Sequence, residues 1–259
     1  NKLNYVLIGD PALIVGNTDY RVVVDSLNDL PIDSGGDVLL KAGAEVKVKG
    51  HVDGVDGMLA TNFSGMLYTS VFDNIEEIVC RNNANAKGLT PFVYHERTKK
   101  IFVGSDSVRN GEFVFTFRVP LDINYSQESG LINMYAIDST LVCEAKGTYD
   151  SFLLGGTEDD LNDDGLGPNI QLYLNSSDFV SGGKVNETPR LVVTLEDADG
   201  INSAGNLGHD LVAIIDGKPA MTYYLNEYYT SDIGTYTRGS ISYLLPELPE
   251  GKHTLTFRA

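Results

Sequence analysis

Alternation of apolar and polar residues recurs along the chain, and 3.6-residue spacing does not. In Glu45–Val52, Val46, Val48 and Val52 fall on one side, and Glu45, Lys47, Lys49 and His51 on the other. Glu112–Val119 puts Phe113, Phe115, Phe117 and Val119 on one face, opposite Thr116 and Arg118. The pattern returns in Asn169–Leu174 (Ile170, Leu172, Leu174), Arg190–Leu195 (Leu191, Val193, Leu195) and His253–Phe257 (Leu255, Phe257). Successive side chains of a strand point to opposite faces, so each run predicts a strand with one buried face. Turn signals separate the runs: Ser34-Gly35-Gly36, Asp53-Gly54, Asp56-Gly57, Asn110-Gly111, Ser181-Gly182-Gly183 and Asp216-Gly217. Short strands between such turns predict an all-β chain of consecutive β-sandwiches.

One stretch breaks the pattern. Residues 155–167 combine five acidic residues with glycines and run into Pro168, which predicts a linker. It divides a first sandwich, residues 20–154, from a second, residues 168–259. The second is close to the ~100 residues of an immunoglobulin-like sandwich. Leu3–Leu13 stands apart from both. Its continuous apolar run Tyr5-Val6-Leu7-Ile8, ended by Gly9-Asp10-Pro11, reads as a strand buried on both faces of a parallel sheet. Residues 1–19 are therefore expected to close a preceding domain, and both ends of the chain read as cut from something longer.

Composition narrows the function classes. The 259 residues carry a formal charge of −17, with a pI near 4.5. Such a surface repels phosphate backbones and anionic lipid, which argues against nucleic acid and basic membrane anchoring. No apolar run approaches the ~20 residues of a membrane span, and Asn1–Val6 does not open a signal peptide. With 27 glycines, 14 tyrosines and no tryptophan, turns and strands are favoured over helices. Cys80 and Cys143 read as small buried thiols, with a disulfide as the alternative. His51 and His253 occupy polar phases of their strands, which predicts solvated imidazoles, and His95 falls in a surface charge cluster, so no Cys–His catalytic pair is expected.

The linker holds the sharpest local motif. Asp160, Asn162, Asp164 and Gly165 fit the first half of a calcium loop, with oxygen ligands at alternate positions and a glycine at the turn. The second half departs from it, since Pro168 and Gln171 stand where later ligands belong, leaving Glu158, Asp159 or Asp163 to complete a shell. A solvated acidic linker is the competing reading, and calcium is the only cofactor expected. Gly208-His209-Asp210 reads as part of a glycine-rich loop folded over a sandwich edge. Tyr223, Tyr224, Tyr228, Tyr229, Tyr236 and Tyr243 read either as rim residues of a small sandwich or as a binding platform.

Several segments together carry a resemblance. Asn4-Tyr5-Val6-Leu7-Ile8-Gly9-Asp10-Pro11-Ala12-Leu13 resembles the closing strand of a gingipain-type cysteine peptidase domain. Lys47…Gly50-His51, Phe63-Ser64-Gly65…Tyr68…Val71-Phe72-Asp73, Asp106 to Phe113, Val119-Pro120-Leu121-Asp122-Ile123 and Tyr135-Ala136-Ile137-Asp138 resemble, in order, the β-rich region that follows it in the surface sortases of type IX secretion. Gly200-Ile201-Asn202…Gly205-Asn206…Gly208-His209-Asp210-Leu211…Asp216, Leu225-Asn226…Tyr228-Tyr229 and Gly251-Lys252-His253-Thr254-Leu255 continue the resemblance. It implies an outer-membrane, cell-surface protein of a Gram-negative bacterium that removes C-terminal sorting domains from secreted cargo. Its catalytic His and Cys would lie upstream of residue 1. The chain would then be a non-catalytic region whose partners are the peptidase domain of the same chain, cargo, or outer-membrane secretion components. Two rivals are a stand-alone calcium-dependent adhesion or carbohydrate-binding module, and a hydrolase using Asp197 and Asp199.

Overall fold

The computed structural model describes residues 18–32, 38–81, 88, 90–161, 165–203 and 210–259. The strand expected at Tyr5–Ile8 lies outside them. Among the described residues the chain is all strand, turn and short 3₁₀ segments, without an α-helix. The first unit runs through β1 (Tyr20–Leu27), β2 (Leu30–Pro31), β3 (Val38–Ala42), β4 (Glu45–Asp53), β5 (Gly65–Phe72), β6 (Glu76–Val79) and β7 (Val93–Glu96). It continues through β8 (Lys100–Val108), β9 (Glu112–Arg118), β10 (Glu128–Ser129), β11 (Leu131–Asp138), β12 (Cys143–Tyr149) and β13 (Phe152–Thr157). The second comprises β14 (Asn169–Leu174), β15 (Arg190–Glu196), β16 (Val212–Ile215), β17 (Thr222–Tyr224), β18 (Tyr229–Ser231), β19 (Arg238–Leu244) and β20 (Leu255–Arg258).

In the first unit an eight-stranded sheet follows the order β8-β5-β11-β12-β1-β4-β9, with β2 on β1. Its two end strands, β8 and β9, are neighbours in sequence. They are joined at Asn110-Gly111, both at positive φ (52° and 80°), with Arg109 bridged to Glu112. Asn-Gly tolerates that left-handed turn, whose twist suits an antiparallel hairpin. The sheet therefore curls until its ends meet, and the Phe102 ring of β8 lies 5.2 Å from Phe117 and 6.4 Å from Phe115 of β9. Val46, Val48 and Val52 face this interior with Phe113, Phe115, Phe117 and Val119, all buried as their alternation predicts. A three-stranded sheet, β10-β13-β3, closes the core with Phe152 and Leu154. β6 and β7 form a separate ribbon whose exposed Phe92 and Tyr94 stack at 6.2 Å.

The second unit packs β14-β15-β19-β18 against β17-β16-β20 around a separate apolar cluster. Leu191, Val193 and Leu195 of β15 and Ile241 of β19 are fully buried. Two packed layers with antiparallel pairings are the β-sandwich expected.

At the junction the fold differs from the sequence reading. β13 continues through Gly155, Gly156 and Thr157, three residues into the expected linker, and Thr157 pairs with Ala42 of β3. Gly156 takes φ +69° where the register shifts between Leu154 and Thr157. Glycine permits that backbone inside a strand, so a glycine pair that reads as a loop becomes a bulge.

Candidate inter-unit site

Polar contacts from the end of the first unit meet loops of the second. Arg118, the last residue of β9, donates from Nη1 to Asp199 Oδ1 at 2.9 Å, both side chains being about four-fifths buried (21% exposed each). Asp199 is held in turn, because its backbone N–H donates to Asp197 Oδ1 at 2.8 Å and the N–H of Asp197 donates to the Thr237 carbonyl. Tyr236 donates its hydroxyl to Glu45 Oε2 at 2.6 Å. Burial first, and then the Glu45 carboxylate that accepts its proton, push the phenol up to about 12. Asn202 reaches Asp122 at 3.4 Å, and the Gly234 N–H donates to the Ser105 carbonyl at 2.9 Å, beside β18.

Arg118, Asp122, Asp199, Asn202 and Tyr236 rim a cleft of about 440 Å³ whose apolar walls include Ile101, Phe102, Leu121, Leu166 and Ile201. Leu161, in the acidic stretch between the units, lies over Gly43. A Cβ on Gly43 would stand 2.2 Å from Leu161 Cδ2, and the glycine's φ of +84° is itself one that L side chains rarely adopt. The loop that carries Leu121 and Asp122 is fixed from below. Asp73 accepts the N–H groups of Asn74 and Asn124, both at 2.8 Å, while Lys99 pairs with Asp122 at 3.4 Å. Burial raises the Asp73 carboxyl, against the two amides and Lys99, which pull it down.

Of the residues singled out for chemistry, the structure brings few together. Asp160 is exposed, and Asn162 and Asp164 lie outside the described residues, as does His209. Among the described residues no group of three or more His, Cys, Asp or Glu side chains is placed to hold a metal. Asp197 and Asp199 are engaged by a backbone amide and by Arg118, and not set as an opposed acid and base. Cys80 and Cys143 are unbridged and half-buried. Burial, with a smaller contribution from Asp138, raises the Cys143 thiol, the opposite direction from an activated thiolate.

Neither His51 nor His253 is freely solvated as its phase predicts, and His253 stands two residues before β20 rather than within it. His51 is clamped, with Nδ1 2.8 Å from Asp25 Oδ1 and Nε2 3.0 Å from Asp53 Oδ1. Burial alone would lower its pKa, but the hydrogen bonds and charges of Asp25 and Asp53 outweigh it and the net shift is upward. His253 sits between Asp216 (Nδ1, 3.0 Å) and the Pro249 carbonyl (Nε2, 2.8 Å), and the carbonyl first, then Asp216, raise it. Asp216 is drawn down to about 2 by the Thr254 N–H and then by His253. Sequence carried part of this signal, since Asp53 shares the outward face of β4 with His51. Asp25 arrives only through pairing of β1 with β4. The Arg118–Asp199 and Tyr236–Glu45 pairs, far apart in the chain, left no local signal.

No family model matches the chain, and no curated protein does. Among solved structures, Spo0M, a sporulation control protein from Bacillus subtilis, aligns over 89% of this chain and 91% of its own at 11% identity, with a TM-score of 0.32, too low for a shared fold. Dimeric latent PorU from Porphyromonas gingivalis is similar over 99% of this chain at 32% identity, with a TM-score of 0.59. The chain spans 24% of the length of that PorU chain. In sequence and in fold it is similar to a segment of PorU.

Proposed function

We propose that this chain is the non-catalytic β-sandwich region of a surface sortase of the PorU type, and that it braces the peptidase or docks cargo beside it. The observation that carries this reading is the similarity to PorU across nearly the whole chain, at 32% identity, over 24% of PorU's length. The geometry supports a bracing role. Ion-paired and hydrogen-bonded contacts tie the second unit to the rim of the first, which suits a rigid spacer more than a swinging arm. The state of the cysteines and of Asp197 and Asp199 supports placing the chemistry elsewhere in the intact protein.

The test is removal of residues 168–259 from the intact protein that carries them. Loss of sorting-domain cleavage together with a protease-sensitive peptidase is the expected result. Undiminished cleavage of every cargo would overturn the reading. The isolated 259-residue chain should leave sorting-domain peptides intact, and cleavage that disappears in Cys143→Ser would assign the chemistry to this region instead.

A further inference from the structure

The β8–β9 hairpin is turned by Asn110-Gly111 at one end, and charged side chains gather its other end. Lys99 stands just before β8, and Asp122 lies in the loop after β9. Their side chains meet at 3.4 Å, Nζ to Oδ2, and Lys99 also donates to the Asp122 backbone carbonyl. Asp73, just after β5, sets a second carboxylate 3.9 Å from the same Nζ.

Water is largely kept from this group. The Asp73 side chain is 1% exposed, that of Lys99 14% and that of Asp122 24%. Burial makes an ion pair costly, because each charge gives up hydration that its partner only partly replaces. An amide in the same place carries no charge and is free of that cost. Burial also raises the Asp73 carboxyl, so it takes up a proton more readily than an exposed aspartate does. Asn202 donates from Nδ2 to the other oxygen of Asp122, Oδ1, at 3.4 Å.

We propose that Lys99 and Asp122 condense into an intramolecular isopeptide bond that locks the open end of the β8–β9 hairpin, with Asp73 as the proton carrier. The Lys99 ammonium gives one proton to Asp73, and the freed lone pair forms a bond from Nζ to Asp122 Cγ. Negative charge gathers on Oδ1, where the Asn202 amide faces it. Asp73 passes its proton to Oδ2, takes a second from nitrogen and delivers that too. The Cγ–Oδ2 bond breaks, and Oδ2 leaves as water. Two protons have moved from nitrogen to oxygen, nothing is oxidised or reduced, and Asp73 ends as it began. No activating co-reactant is needed, because fixed approach replaces a bimolecular encounter. The bond ties the chain on either side of β8 and β9, the two strands whose meeting closes the curled sheet.

Peptide mass spectrometry on a tryptic digest of the intact, folded protein tests this. The segments carrying Lys99 and Asp122 should appear as one branched peptide, lighter by one water than the two separate peptides together. Lys99→Arg and Asp122→Ala should each give linear peptides only. Asp122→Asn should still give a branched peptide of the same mass, because the side-chain amide then leaves as ammonia. In Asp73→Asn, harvested at the same time, the branched peptide should fall about tenfold or more. Linear peptides alone from the folded parent would overturn the proposal and leave an ordinary ion pair. An undiminished link in Asp73→Asn would overturn the assignment of the proton carrier.

Discussion

The two units reach a β-sandwich core by different routes. The first wraps one long sheet until its end strands meet, and fully buried Phe63, Phe117 and Phe152 fill the interior. The second stacks two short sheets and holds its core mainly with leucine, isoleucine and valine, with Tyr229 buried among them and Tyr223, Tyr228 and Tyr243 along the margin. Tyr243 packs edge-on against Tyr228 at 4.7 Å and tilts against Tyr223 at 5.8 Å, with these rings only partly covered. Curling brings the end strands β8 and β9 of the first sheet against each other through the Arg109–Glu112 bridge and the Phe102–Phe117 ring contact, whereas the second unit's sheets only stack face to face. The first unit is therefore expected to be the tighter folding unit.

Phe117→Ala should make the sharpest break. It empties a fully buried site against Phe102 and Phe115, and about 3–5 kcal/mol should disappear from the first transition in denaturant. A second transition left at its parent midpoint would mark the units as independent. Movement of both would make them one cooperative block.

Within the second unit the contrast between ladder partners sharpens the picture. Leu195→Ala should cost about 2–4 kcal/mol, and Ile170→Ala less than about 1, although the two residues face each other across β14 and β15. Equal losses, read from urea midpoints, would mean that the β14 flank is covered in solution.

The bridge between the units should contribute less. A double-mutant cycle on Arg118→Ala and Asp199→Ala is expected to return a coupling of about 1 kcal/mol, since both groups retain some solvent. A coupling indistinguishable from zero would remove the ion pair as a brace.

The smallest effect is in pH. His51 has its pKa raised in the folded state, so its contribution is complete below about 6.5, the ordinary value, and is lost as pH rises through the folded pKa. Partial exposure keeps it to less than about 1 kcal/mol. Tm measured from pH 5 to 8.5 should slope downward through that window in the parent chain and flatten in Asp25→Asn. An unchanged slope in that variant would show that the clamp does not operate.

Much of the strand content was legible. Val46, Val48 and Val52, the Phe113–Val119 row and the Leu191–Leu195 row all bury the face that their alternation assigns, because a strand's side chains have a period of two whatever it pairs with. Asn110-Gly111 turned where such a dipeptide turns. Gly155 and Gly156 did not, because a glycine pair signals permissive backbone without saying whether a loop or a bulge will use it. The histidines were misjudged for a related reason. Phase puts His51 on the outward face, but an outward face is solvent only where no neighbouring strand brings a carboxylate.

Sequence alone determined that this chain is made of short strands, which faces of most of them are apolar, and that its surface is strongly acidic. These are properties of residues a few positions apart. Only the tertiary structure decided that β1 lies beside β4 and delivers Asp25 to His51, and that Arg118 meets Asp199. Each of those depends on segments brought together by pairing and packing, and backbone hydrogen bonds between strands are made by groups that every residue carries alike.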